Sequence, residues 1–293
     1  MYQISHFFAN RIFDEATLRY FMFEVARHGA EHLVISNPWC VKYIEDPTFI
    51  DVLRRCCERS GITFAGCHAP FGTGWDLGTW DAERRPHMLE EQARSIAFAA
   101  ELGAKTITFH PGAMPPDYTL PQMRDLIRAS LEYLLPYAEK YGVILCIENA
   151  MRPTNTPDEL LRYLEEFKTP WLGCTYDTGH ANVMSSQNGT KDPTKYSENF
   201  LVNWPDGIVF EDNALDKLAP YIVVSHVHTN NGYKDEHRFI DDPVGTLDWK
   251  TILHKLKNDC PRIQNIENET KVFEYLISTT QIGQDFARLV AEA

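Results

Sequence analysis

VILCIENAMRPTNTPDELLRYLEEFKTPWLGCTYDTGH, residues 143–180, decides how this chain folds. It opens on an apolar, β-rich run that ends at Glu148. Thr156-Pro157 then starts an amphipathic helix, and a second apolar run ends at Asp177. Strand, helix and strand in this order form a parallel crossover unit, because adjacent parallel strands need a long connection that a helix supplies. The same unit recurs outward in both directions. TFAGC ends at His68, TITF at His110, the run beginning IVVSHV at His228, and IQNI at Glu267, at intervals of roughly thirty to fifty residues.

Eight such units are legible. The predicted strands are 2–8, 32–36, 63–68, 106–110, 143–148, 172–177, 222–228 and 263–267. Between and after them the 3.6-residue periodicity predicts helices over 14–28, 47–59, 82–102, 120–141, 156–167, 248–257 and 271–292. Strict alternation predicts an α/β fold, a (β/α)8 TIM barrel, with residues 1–293 as a single domain. A doubly wound open sheet is the alternative. It places a ligand at one switch point and leaves six polar strand ends unexplained. The segment of about 181–221 breaks the rhythm as a long loop insertion, with only a short helix near 213–219. Its aromatics Tyr196, Phe200, Trp204 and Phe210 suggest an ordered loop that covers a site or meets another subunit, which is compatible with a homo-oligomer.

Composition narrows the function. There are 28 basic and 41 acidic residues, a net charge of −13, which disfavours nucleic acid as a partner. The seven cysteines include no CxxC pair and suit a reduced, cytoplasmic protein. The first residues lack the pattern of a secretory signal, and no apolar run reaches the ~18 residues of a membrane span, so no membrane partner is expected.

The chemistry lies at the strand ends, which converge on one face of a barrel. Glu148 closes a buried strand, where a carboxylate is costly unless paired or bound to a cation. Asp177 and His180 bring a carboxylate and an imidazole to the same rim. His226 and His228 alternate onto one face, as do Glu267 and Glu269. His228 and Glu267 stand as ligands, His226 reads as a core histidine, and Glu269 as the start of a helix. His68 and His110 precede Ala-Pro and Pro-Gly turns that present their rings over the mouth. His6 reads as a buried, hydrogen-bonded histidine, and Asp235 with His237 as a solvated charge cluster. Trp39, Phe71, Trp75 and Trp204 are candidates for stacking on the face of a ligand ring. HExxH, GxSxG and phosphate-loop motifs are missing.

HPG after strand four, IEN after strand five, DTGH after strand six, VHTNN after strand seven, the DEH loop and Glu267 together resemble the xylose-isomerase-like barrel superfamily over nearly the whole chain. That group includes sugar isomerases, ketose 3-epimerases, inosose-processing enzymes and endonuclease IV-type AP endonucleases. The resemblance to the epimerase branch implies one divalent metal (Mn, Mg, Co or Zn) held by Glu148, Asp177, His228 and Glu267. It also implies catalysis by Glu148 and Glu267 through an enediolate, substrate contact by His180, and a small-molecule sugar or polyol as substrate. A substrate-binding Arg of that branch corresponds only approximately to Arg238. The resemblance to endonuclease IV implies up to three Zn on His68, His110, Glu148, Asp177, His180, His228, Asp235, His237 and Glu267, and phosphodiester hydrolysis. The loop DEHRFIDDPVGTLDW departs from that branch's DxHHxxGxG pattern. A keto-sugar lyase would use the same metal and base.

Overall fold

The structure is a computed structural model that describes residues 2–8, 10–272, 274–275, 278 and 280–292. Eight strands close into one parallel barrel in sequence order: β1 Gln3–His6, β2 His32–Ile35, β3 Thr63–His68, β4 Thr106–Phe109, β5 Ile144–Glu148, β6 Leu172–Asp177, β7 Ile222–Val227 and β8 Asn265–Asn268. The seam pairs β1 with β8, Ile4 opposite Ile266. The (β/α)8 expectation therefore holds.

Local chemistry sets the helix ends. Helix α1 (Glu15–Arg27) starts at Asp14, whose carboxylate accepts from Thr17 N at 2.9 Å, and it buries Leu18, Met22 and Val25. After α2 (Asn37–Glu45), α3 (Phe49–Ser60) and α4 (Arg84–Glu101) comes the long α5 (Leu120–Tyr141). Thr119 and Gln122 cap α5 reciprocally, and Gly142 ends it at φ 66°. Helix α6 (Pro157–Phe167) begins at Thr156. The remaining helices are α7 (Thr178–Met184), α8 (Glu198–Leu201), α9 (Ala214–Leu218), α10 (Trp249–Asn258) and α11 (Phe286–Glu292).

Three expectations need correction. The helix predicted from Pro47 begins at Phe49, and α2 precedes it over NPWCVKYIE, whose buried residues Trp39 and Cys40 are adjacent and give no helical period. The segment of about 181–221 is not one loop with one helix. Its first residues belong to α7, which follows β6 directly because Asp177 caps it, and α8 lies further along. Of the helix predicted over 271–292, the described residues are helical from about residue 280, as a π-helical turn (Gln281–Asp285) running into α11. Residues 273, 276, 277 and 279 of that span lie outside the described residues.

Alternation along the strands separates two interiors. Outward residues such as Ile107, Phe109, Leu145, Ile147, Tyr176 and Ile266 pack against the helices as the main apolar core. Many inward residues are polar or small. Ser5 bonds Asn265 at 2.8 Å, Thr108 meets Thr175 at 2.8 Å, and Gly66 leaves room for the Glu267 carboxylate. Cys146, Val224 and the partly buried Ile144 belong to a small apolar cluster of their own, so the interior is packed beneath the strand ends.

Candidate metal centre

The strand register brings the acids and histidines together. Asp177 of β6 pairs with His226 of β7, and His226 with Glu267 of β8, so adjacent inward positions carry ligand-type groups. Glu148 ends β5, fully buried, with Oε2 2.9 Å from His110 Nε2 and 3.6 Å from His68 Nε2. Its other oxygen lies 3.3 Å from both His180 Nδ1 and His226 Nδ1. Asp177 has two tasks. Oδ1 accepts from His180 N at 2.6 Å, capping α7, and Oδ2 lies 3.0 Å from His228 Nε2. The Gly179 of DTGH is required by space, since a Cβ there would overlap the His228 ring.

The β7 loop completes the rim. Asp235 Oδ2 lies 2.9 Å from His237 Nε2 and 3.4 Å from His180 Nε2, while His237 stacks on His228 with ring centres 3.9 Å apart. Asp235 and His237 are therefore part of the cluster and not a solvated pair. All nine residues singled out by the motifs converge at one end of the barrel.

Two residues that received bland readings belong here as well. His226 is buried among acids, with Nδ1 2.9 Å from Glu269 Oε2 and Nε2 3.3 Å from Glu267 Oε2. Glu269 starts no helix, since the chain continues irregularly through Val272, and its side chain turns into the cluster. The period-two spacing of His226 with His228 and of Glu267 with Glu269 was the available signal for both. Glu267 sits deeper, with Oε1 accepting from Asn265 Nδ2. Donors close enough to share an ion include Glu148, Asp177 and His180, and also Asp177, His226 and Glu269. A neighbouring group, His180, Asp235 and His237, shares His180 with the first, and Glu267 belongs to none of these three.

Electrostatics separates the groups. Burial opposes charge on Glu148, but His226, His110 and the hydrogen bonds of His110 and His180 outweigh it and hold the carboxyl well below its ordinary range. Asp177 is held low in the same way by His180 and His228, against burial. Burial pushes Glu267 up, and His226 offsets this only in part. Burial disfavours the charged forms of His180, His226 and His237 too. Neighbouring carboxylates prevail and raise all three, His237 to about 9 through Asp235 and Glu269.

Other expectations fare differently. His6 is buried beside Asn268, 3.4 Å away, and burial lowers it to about 3, so it is a neutral core histidine. Of the four stacking candidates, Phe71 lines the cavities at the barrel mouth. Trp39 is buried against Phe64, Trp75 lies under the Arg84 guanidinium, and Trp204 packs down with its indole N–H on Met151 O. Arg238 pairs with Glu236 and Asp242 and does not line the cavities. The seven cysteines are free thiols, and no described helix is long and apolar enough to cross a membrane.

Comparison with known proteins agrees with this architecture. The family profile described as "Xylose isomerase-like TIM barrel" matches residues 23–271. The uncharacterized protein MJ1311 of Methanocaldococcus jannaschii is 26% identical over 234 residues, 77% of this chain and 70% of its own. Among solved structures, a D-tagatose 3-epimerase-like protein superposes with a TM-score of 0.71 at 23% identity, over 99% of this chain and 98% of its own. The IOLI protein with a bound zinc atom gives a TM-score of 0.70 at 15% identity, over 99% and 97%. Structural likeness at such identities speaks for the fold alone. The profile spans most of the chain and its fold is the closed barrel seen here, so the chain belongs to the xylose isomerase-like TIM barrel family.

Proposed function

We propose that the protein is a divalent-metal-dependent isomerase or epimerase of a sugar or related polyol, working by proton transfer beside a carbonyl. One observation carries this reading. The carboxylates of Glu148, Asp177, Glu267 and Glu269 crowd around the imidazoles of His226 and His228, and His228 Nδ1 and Asp235 Oδ1 are buried there without a hydrogen bond. Burying charged groups without satisfied partners costs several kcal/mol, and a cation among them removes the cost. Carboxylate and imidazole donors suit Mn, Mg, Co or Zn. We assign the ion to Glu148, Asp177, His228 and Glu267, with His226 and Glu269 as flanking donors.

When bound, a divalent ion polarises neighbouring carbonyl and hydroxyl oxygens and acidifies the C–H between them. The chain's own residues move the proton. Glu148 and Glu267 approach opposite nitrogens of the His226 ring, each at 3.3 Å, so that ring stands between the two carboxyls, with Glu148 on the cavity side. Glu148, held ionised, removes a proton from one face of the carbon. Glu267, pushed towards its protonated form, returns one to the other face. His180, between Asp177 and Asp235, orients a substrate hydroxyl, and Phe7, Phe8 and Phe71 wall the space against water. The D-tagatose 3-epimerase-like and zinc-bound IOLI neighbours fit this reading.

The test is a screen of ketoses and keto-cyclitols for solvent deuterium entering a C–H, with metal content measured on protein purified without chelator. About one ion per chain and exchange that Glu148→Gln abolishes are expected. Full activity in that variant overturns the reading. So does a metal-free protein that gains no thermal stability from Mn2+ or Zn2+.

A second reading has its own observation. The group of His180, Asp235 and His237, which shares only His180 with the Glu148 and Asp177 group, and the two imidazoles on Glu148 Oε2 offer places for further ions. That would suit a zinc phosphodiesterase of the endonuclease IV type. About three zinc ions per chain together with incision of abasic-site DNA would decide for it. A keto-sugar lyase would be recognised by its cleaved product.

A further inference from the structure

Two cavities meet at the titratable cluster. The inner lobe, about 460 Å³, is walled by Phe7, Phe8, Glu148 and Glu269. The outer lobe, about 410 Å³, shares Phe71, His110, His180 and Asp235 with it and extends away from the β8 side. Ligand pockets of ~300–1,000 Å³ enclose whole drug-sized molecules, so a monosaccharide at the cluster occupies one lobe and leaves the other unused.

The outer lobe has its own chemistry, drawn from two loops that the proton transfer above does not use and from Phe71, which borders both lobes. Arg152 reaches it from the loop after β5, and its guanidinium makes no ion pair or hydrogen bond among the described residues. Asn199, Phe200 and Asn203 come from the segment around α8. Asn203 donates its amide to the carbonyls of Asn199 and Phe200, which leaves its side-chain oxygen as an acceptor. The partly exposed rings of Phe71 and Phe200 supply apolar faces. A donor fork, an amide acceptor and two aromatic faces match a ring that carries hydroxyls on its edge and C–H groups on its face.

Charge argues against an anion in the same place. The carboxylates of Asp76 and Asp235 also border this lobe, and Asp76 is spent on the Gly72 N–H at 2.7 Å. A phosphate or carboxylate on the ligand would meet both, with Arg152 and His180 as counter-charges and His180 already paired with Asp235. A neutral hydroxylated unit meets no such repulsion.

We propose that the substrate has two units, a glycoside or disaccharide-derived sugar whose reacting ring lies in the inner lobe and whose second, neutral ring lies in the outer lobe against Arg152, Asn203, Phe71 and Phe200. This rests on the sugar-isomerase reading given above. The test is calorimetric titration of the full, Mn2+-loaded chain with maltose, cellobiose and lactose, with their components glucose and galactose, and with glucose 6-phosphate. At least one disaccharide is expected to bind about tenfold or more tightly than its components. Arg152→Ala should shrink that gap to less than about threefold at an unchanged melting temperature. Monosaccharides that bind as tightly as disaccharides overturn the second ring and leave the isomerase reading standing. A disaccharide preference that survives Arg152→Ala overturns the assignment of the outer lobe. If glucose 6-phosphate gains most and loses the gain in Arg152→Ala, the lobe belongs to phosphate and the neutral ring is wrong. If no sugar binds at all, both readings fall together.

Discussion

Gly179 shows how narrowly one position can be set. Its backbone lies against the His228 ring, so a methyl group has no room, and the ring that Asp177 orients would have to move. Gly179→Ala is expected to keep the barrel, judged by circular dichroism, and to weaken divalent-metal affinity about tenfold or more in a chelator competition. The two inward glutamates of β8 and the segment after it pose a sharper question. Glu267 is deep and partly held by Asn265, whereas Glu269 faces His226 and His237 at the rim. If Glu267 is both ligand and acid, Glu267→Gln should abolish solvent exchange into substrate and lower bound metal, and Glu269→Gln should retain most of both. The reverse pattern would move the fourth ligand to Glu269.

At the scale of the element, caps and chemistry overlap in one place and separate in another. Asp177 ends β6, starts α7 and faces His228, so the turn that positions His180 is made by a residue of the cluster itself. Stability and binding cannot be separated there by substitution. They can at α5, where Thr119 and Gln122 close the capping box with each other and with no residue of the cluster. Thr119→Ala should cost about 1 kcal/mol in denaturant unfolding and leave metal content unchanged. Loss of metal along with that stability would mean that the barrel mouth depends on α5 more than its contacts suggest. Such caps are short-range sequence signals, and Thr156-Pro157 marked α6 in this way, whereas α1 was legible from its apolar period and α5 from its length and its stop at Gly142. Helix α2 was not, because NPWCVKYIE buries only Trp39 and Cys40 and offers no clear period.

For the whole molecule, the cluster sets a dependence on pH. In the metal-free protein the depressed carboxylates Glu148, Asp177, Asp235 and Glu269 contribute stability above their unfolded values of ~4, which is lost as pH falls through their folded values. The raised imidazoles of His180, His226 and His237 contribute stability that is complete below ~6.5 and lost as pH rises through their folded values, about 9 for His237. The melting temperature of chelator-treated protein should therefore be highest between roughly pH 4.5 and 6.5 and fall towards pH 9. Saturating Mn2+ or Zn2+ should abolish that fall, because a bound ion replaces the imidazolium charge. A flat profile without metal would show that these contacts do not stabilise the fold.

The sequence by itself determined the barrel and most of its rim. Apolar runs that end in His68, His110, Glu148, Asp177, His228 and Glu267 repeat a local pattern, and eight such units close in one way under the rules of parallel crossover. Only the tertiary structure decided that His226 and Glu269 join the cluster, that Asp235 and His237 lean into it, and that Trp39, Trp75 and Trp204 do not line its cavities. Periodicity tells which residues share a face. Which of them share a depth follows from the stagger of strands around the barrel and from where long loops fold back, and both depend on contacts between residues far apart in the chain.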